Sequence, residues 1–154
     1  MTAPKLEFDL PTEDATAAFA GQVGKILTSG DTILLSGPVG AGKSFFSRSL
    51  IRSRTGTTED IPSPTFTLVQ TYPHESGDIW HCDLYRLTDV DEVIELGLDE
   101  AFDTAICLIE WPDRLGSACP VNALHLTFQA DEAGHRVTSS LSQDWHMRLK
   151  DIHV

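Results

Sequence analysis

Gly37, Pro38, Val39, Gly40, Ala41, Gly42, Lys43 and Ser44 follow the pattern G-x-x-x-x-G-K-S/T. Each residue type has a physical reason for its place. Glycines let the main chain wrap closely round an anion with no Cβ in the way. The wrapped N–H groups and the N-terminus of a following helix then point at the β- and γ-phosphates of a nucleotide. Lys43 brings a point charge to the same oxygens, and the Ser44 hydroxyl offers one ligand position to Mg²⁺. A cation held there also needs a carboxylate, usually at the C-terminal end of a neighbouring buried strand. Two acidic residues qualify: Asp83, which ends the run from Ile79 to Cys82, and Glu110, which ends the run from Ala105 to Ile109. The indicated chemistry is phosphoryl transfer from a nucleoside triphosphate. No Asn-Lys pair occurs, so the Asn-Lys-x-Asp element of guanine selection is missing and ATP is the expected nucleotide. Asp131-Glu132-Ala133-Gly134 fits D-x-x-G, but it falls in an expected hairpin turn and is set aside.

The elements that must position these residues are legible on either side of them. Residues 12–30 predict an amphipathic helix, with Thr12 as N-cap, Glu13 and Asp14 in the first turn, and Phe19, Val23, Ile26 and Leu27 on one face. Gly30 is expected to stop it. Residues 31–36 form a short apolar run suited to a strand buried on both faces. Helical periodicity resumes from Lys43 to Arg54 through Phe46, Leu50 and Ile51. Pro62 and Pro64 impose an extended loop, and residues 68–72 and 79–84 predict strands. Thr88 with Asp91 resembles a capping box for a short helix that carries Val90, Val93 and Ile94 and ends at Gly97. Residues 105–110 form a second apolar strand. Leu124, Leu126 and Phe128 alternate with polar residues, and a turn at 131–134 followed by residues 136–141 predicts a hairpin.

The whole chain sets bounds on function. Its 154 residues suit one domain, with no repeat, linker or low-complexity tract to divide residues 1–154. Lys and Arg number 11 against 23 Asp and Glu, a net charge of −12. That balance excludes bulk electrostatic attachment to nucleic acid or to an anionic membrane. Nothing approaches the ~18 apolar residues of a membrane span. The N-terminus lacks the build of a secretion signal. Cys82, Cys107 and Cys119 are odd in number and form no C-x-x-C, which points to reduced thiols and a cytoplasmic setting. The acidity is concentrated: residues 75–113 hold twelve acidic residues and one basic residue, Arg86. Arg48, Arg52 and Arg54 cluster near the end of the phosphate-loop helix, where a solvated helix end is the expected reading.

Five segments in order carry a family resemblance. They are the phosphate loop Gly37–Ser44; Ser63-Pro64-Thr65-Phe66-Thr67-Leu68-Val69; His81-Cys82-Asp83-Leu84-Tyr85-Arg86-Leu87; Glu95-Leu96-Gly97-Leu98; and Ile109-Glu110-Trp111-Pro112. Together they resemble the TsaE (YjeE) family, small bacterial P-loop ATPases that take part in threonylcarbamoyladenosine modification of tRNA. The resemblance implies a P-loop NTPase-like α/β fold: a mostly parallel central sheet flanked by helices, here with a C-terminal β-hairpin. It implies Mg²⁺ held by Ser44 and Glu110. Asp83 matches an aspartate needed for ATPase function, Thr65 lies in a switch-like loop as the sensor of the γ-phosphate, and Trp111 matches a tryptophan beside the nucleotide. It implies association with a TsaB–TsaD pair that hydrolysis resets, with tRNA held mainly by those partners. His81 and Tyr85 are expected to be structural. The chain departs from the family at Pro38-Val39, where Asp-Leu is common, and at Ser44, where threonine is commoner. Asp113 stands where a glutamate is frequent.

Two other readings share the phosphate loop. A small-molecule kinase would close several arginines over the phosphates, and Arg86, Arg114, Arg136 and Arg148 are scattered along the chain. A nucleotide-sensing module without meaningful hydrolysis would need the same site as the ATPase.

Overall fold

The computed structural model describes residues 5–38, 41–57, 60–62, 64, 68–132, 134–140 and 143–152. In chain order these form β1 (Lys5–Leu10), α1 (Glu13–Ile26), β2 (Thr32–Ser36), α2 (Lys43–Thr55), β3 (Val69–Tyr72) and β4 (Ile79–Asp83). There follow α3 (Asp91–Glu95), α4 (Leu98–Thr104), β5 (Ile106–Glu110), a 3₁₀ helix (Pro112–Ala118), β6 (Leu124–Asp131), β7 (Gly134–Ser140) and α5 (Gln143–Leu149). The strands make one sheet in the order β1-β7-β6-β2-β5-β4-β3. Its centre, β6-β2-β5-β4, is parallel. The outer strands β3, β7 and β1 add antiparallel pairings, and β6–β7 is the expected C-terminal hairpin.

The parallel centre follows from the two apolar runs. Ile33 and Leu35 of β2 and Ile106, Leu108 and Ile109 of β5 are fully buried, as strands covered on both faces must be. One face packs against α1, α2 and α5 through Phe19, Val23, Phe46, Leu50, Ile51, Trp145 and Leu149. The other packs against α3, α4 and the 3₁₀ helix through Val93, Leu98, Ala101 and Leu115. Strand alternation therefore decides which side chains face α2. Ile79, His81 and Asp83 of β4, with Ile106, Leu108 and Glu110 of β5, share that face by period-2 spacing.

Some boundaries differ from expectation for local reasons. Thr12 does cap α1, accepting the Ala15 N–H at 3.1 Å. The helix stops at Ile26 and not at Gly30, because Leu27 turns extended and the Asp31 carboxylate accepts the Thr28 N–H at 2.7 Å. Gly30, with φ of 97°, serves the turn into β2 instead. The capping box at Thr88 and Asp91 does not form. Asp89 accepts the Asp91 N–H at 3.0 Å, and the Thr88 hydroxyl bonds Glu92 at 2.6 Å. Gly97 follows α3 as expected, but a second helix, α4, begins directly after it.

Arg54 is not a solvated helix end. Its guanidinium donates to the carbonyls of Gly24 at 2.6 Å and Leu27 at 3.0 Å and to the Ser76 hydroxyl at 2.9 Å. It ties the free carbonyls at the end of α1 to α2, as a cation near a helix C-terminus should. Burial lowers its pKa from the ordinary value. An arginine committed in this way is not available to a nucleic-acid backbone.

The three thiols are free, with Cys82 and Cys107 buried in the sheet and Cys119 partly exposed. Burial raises Cys82 well above the ordinary thiol range and pushes Cys107 up to about 12. The neutral Cys107 thiol therefore contributes stability in full below its ordinary value of about 9, and loses it as pH climbs towards about 12. In native protein at pH 8, an aromatic disulfide reagent should titrate at most one thiol, Cys119. It should titrate all three after denaturation. Rapid native labelling of two or more thiols would contradict this packing.

Candidate functional site

The phosphate loop leaves β2 at its C-terminal end and opens α2. Gly37 takes φ of 130°, and a Cβ there would overlap the Phe128 carbonyl oxygen on β6. Gly42 takes φ of 104° and forms the N-cap of α2, where its carbonyl accepts the Phe46 N–H at 2.9 Å. Both glycines of the motif are thus required by backbone geometry alone. Pro38 accepts the Ala41 N–H at 3.2 Å, so the described ends of the loop form a turn. Val39 and Gly40 lie outside the described residues, as does Thr65. Gly37→Ala should cost about 2–3 kcal/mol, combining left-handed strain with a backbone clash. For a chain of this size that is a fall of about 5–10 °C in melting temperature. A thermal melt checks it, and an unchanged midpoint would contradict the close approach to Phe128.

Lys43 and Ser44 are the first two residues of α2. Lys43 is only 6% exposed, with its ammonium 4.3 Å from the centroid of the Trp111 ring. Trp111 sits at the turn leaving β5 with φ of 61°, and the Tyr85 ring packs against it, tilted by 52° with centroids 4.9 Å apart. Across the sheet end, Asp83 and Glu110 are direct neighbours in the parallel register of β4 and β5. The Ser44 hydroxyl donates to the Glu110 carboxylate at 3.1 and 3.3 Å. The Asp83 carboxylate accepts the Tyr85 N–H at 3.0 Å, which fixes its direction.

Burial singles these groups out. Among the described residues, the buried charged side chains are Lys43, Asp83 and Glu110, and the buried histidine is His81. The acidic residues Asp89, Asp91, Glu95, Asp99 and Asp103, by contrast, are exposed and account for much of the acidic segment. Withdrawing charge from water is costly unless it is paired or put to use. Here the costly groups gather at one place, the C-terminal ends of β2, β4 and β5, where open α/β sheets bind ligands.

Two residues expected to be structural lie at this site. His81 Nε2 is 2.8 Å from a Glu110 oxygen, with the imidazole fully buried. Tyr85 is not buried at the strand end but 55% exposed beside Trp111. The H-x-D spacing put His81 on the same strand face as Asp83. Its partner depends on the β4–β5 register, which local sequence does not carry. Two of the four scattered arginines are committed elsewhere: Arg136 pairs with Asp9 at 3.0 Å and Arg148 with Asp31 at 2.5 Å.

The donor set fits magnesium. Among the described residues no group of three or more His, Cys, Asp and Glu side chains is placed to cage a metal. One carboxylate, one hydroxyl and neighbouring phosphate oxygens are what Mg²⁺ takes, as it keeps several waters and seldom uses an all-protein cage. Among the described residues no helix is long and apolar enough to cross a membrane.

A seven-stranded sheet with a parallel centre, a glycine-rich loop joining β2 to α2, and acidic residues at the ends of two adjacent strands define a phosphate-loop α/β protein. The comparisons with known proteins narrow this. The family described as "Threonylcarbamoyl adenosine biosynthesis protein TsaE" matches residues 10–138. The chain belongs to the TsaE family. It is similar to the "tRNA threonylcarbamoyladenosine biosynthesis protein TsaE" of Rickettsia bellii, with 38% identity covering 78% of this chain and 83% of that one. The protein of the same name from Treponema pallidum is 34% identical, covering 79% and 89%. That from Bacillus subtilis is 31% identical, covering 81% and 78%. The crystal structure of Bacillus subtilis YdiB shares the fold with a TM-score of 0.81, covering 98% of this chain and 95% of that one at 23% identity.

Proposed function

We propose that this chain is a Mg²⁺-dependent ATPase that serves as a switch subunit in threonylcarbamoyladenosine modification of tRNA at adenosine 37. The observation that carries the chemistry is the gathering of Lys43, Asp83 and Glu110, buried, round the phosphate loop. Family membership supports the biological role.

The chain's residues divide the work. The main-chain N–H groups of the phosphate loop, to which Pro38 contributes none, and the N-terminus of α2 cradle the phosphates. Lys43 neutralises charge on the β- and γ-phosphate oxygens, moving from the Trp111 face to reach them. Ser44 and Glu110 hold the cation, which when bound spreads the charge that develops on the transferred phosphoryl group. Asp83 orients the attacking water or the cation's waters. Phosphoryl transfer asks chiefly for positioning and charge stabilisation, so this inventory suffices. Residues 63–67 sense the γ-phosphate, with Thr65 as the contact. Leu68, next in the chain, has φ of 65°, donates to the Pro64 carbonyl at 2.8 Å and accepts the Asp83 N–H at 2.9 Å. This links the foot of the sensing segment to the strand end that carries Asp83, and so connects hydrolysis to a switch.

We further propose that the chain does not itself form the threonylcarbamoyl bond. It associates with a TsaB–TsaD type pair in the cytoplasm, hydrolysis resets that complex, and the partners hold most of the tRNA. A surface with net charge −12 is consistent with the last point. The test is phosphate release from ATP by the purified chain, alone and with a reconstituted TsaB–TsaD pair. Slow release alone and stimulation by the pair are expected. Absence of phosphate release under both conditions, with ATP still bound, would leave a nucleotide-sensing module in its place.

A further inference from the structure

We propose that His81 is the positioning residue of the metal site: it holds the Glu110 carboxylate by its Nε2–H, so that one carboxylate oxygen is presented to the cation. This rests on the Mg²⁺ assignment to Ser44 and Glu110 made above.

The hydrogen-bond inventory assigns the tautomer. His81 is fully buried, and its Nε2 lies 2.8 Å from Glu110 Oε2. Among the described residues its buried Nδ1 has no hydrogen-bond partner. A proton on Nδ1 would be stranded without an acceptor, and Nε2 would then face a carboxylate with no hydrogen between them. The proton therefore belongs on Nε2, donated to Glu110, and Nδ1 keeps only an unshared lone pair. A histidine buried purely for packing would be expected to satisfy both nitrogens. This one satisfies a single nitrogen, on the carboxylate that faces the phosphate loop.

The second donor to Glu110 is Ser44, 3.1 Å from Oε1 and 3.3 Å from Oε2. Ser44 is itself assigned to the cation, so its hydroxyl serves two partners at once. His81 lies beneath Glu110 on the same face of the sheet, paired in register with Leu108. It is a donor held away from the cation by the depth of the strand. With Oε2 anchored from below, Oε1 is the oxygen left to turn towards Ser44 and the metal. Carboxylate ligands are commonly held by such outer hydrogen bonds, and removing them typically costs about 10–100-fold in metal affinity.

The experiment compares His81→Leu, which keeps bulk but has no donor, with His81→Gln, whose amide nitrogen reaches towards the Nε2 position. ADP affinity is measured by calorimetry across a Mg²⁺ titration, and Mn²⁺ bound in the ADP complex is followed by electron paramagnetic resonance. In His81→Leu the apparent Mg²⁺ and Mn²⁺ affinities should fall about 10–100-fold. ADP affinity without metal should stay within about twofold. His81→Gln should recover most of the loss. If His81→Leu does not fold, His81→Asn takes its place, since its amide stops short of Glu110 and the same loss is expected. Unchanged metal affinity, or an equal loss of ADP affinity with and without metal, would overturn the proposal. Glu110→Gln run in parallel separates the two claims. If it too leaves the Mg²⁺ dependence unaltered, the metal assignment itself fails; if it alone removes that dependence, only the role of His81 fails.

Discussion

Replacing Lys43 by alanine is expected to lower kcat/KM for ATP by about 10²–10³-fold while leaving the fold as stable as before, within about 3 °C in melting temperature. The two halves of that expectation have separate causes. Lys43 is 6% exposed, and among the described residues no carboxylate stands within ion-pair distance of its ammonium. Its partner is the face of Trp111 at 4.3 Å. A cation over a desolvated indole gains about 2 kcal/mol. Drawing an ammonium out of water costs at least as much. Truncation removes both terms, so stability changes little. The transition state for phosphoryl transfer has no such compensation. It loses a charge placed at the oxygens where negative charge accumulates, the kind of loss that costs about 3–4 kcal/mol when one preorganised donor is removed. Thermal melts with steady-state phosphate release check both halves. A variant that lost activity and stability together would make Lys43 a packing residue, and the activity loss would then say nothing about charge.

What the sequence disclosed, and what it withheld, divides along local and non-local lines. The phosphate loop is a contiguous pattern, so its residues and the elements beside it were readable. β2 and β5 were readable as apolar runs, and the C-terminal hairpin as alternation with a turn. β1 was missed because residues 5–10 are short, charged at alternate positions, and form an edge strand whose partner, β7, lies more than 120 residues away. α4 was missed because four of the residues 98–104 are polar, with only Leu98 and Ala101 buried. α5 was missed because its anchors, Trp145 and Leu149, are a single i,i+4 pair, too little repetition to mark a helix of 7 residues. At the site, Asp83 and Glu110 were both recognised as strand-end carboxylates, but their adjacency comes from the β4–β5 register. The same register brings His81 onto Glu110, so a pairing decided by strand order turned an expected structural histidine into a site residue. Tyr85 was misjudged for a related reason: β4 ends at Asp83, so the burial expected two residues later does not reach it.

The two carboxylates, adjacent in space and alike in burial, should separate cleanly when neutralised one at a time. Glu110 is tied to Ser44 and His81, and it is the carboxylate proposed above to hold the cation. Asp83 is tied by one oxygen to the Tyr85 N–H and, among the described residues, makes no hydrogen bond to the phosphate loop. Glu110→Gln should therefore abolish the gain in nucleotide affinity that Mg²⁺ provides and reduce turnover at least about 10²-fold, as expected when transition-state charge stabilisation is removed. Asp83→Asn should reduce turnover by a similar factor, within the range of about 10²–10⁴ for a positioned acid–base group. Its nucleotide affinity should keep the full Mg²⁺ dependence. Asparagine retains an oxygen to accept from Tyr85, and loss of one of two neighbouring carboxylate charges relieves like-charge repulsion. Asp83→Asn should thus melt no lower than the parent protein. Nucleotide titrations with and without Mg²⁺, alongside single-turnover hydrolysis, make the distinction. If Asp83→Asn also lost the Mg²⁺ effect, both strand ends would belong to the cation site, and the water-orienting role would have to pass to another group facing the phosphate loop.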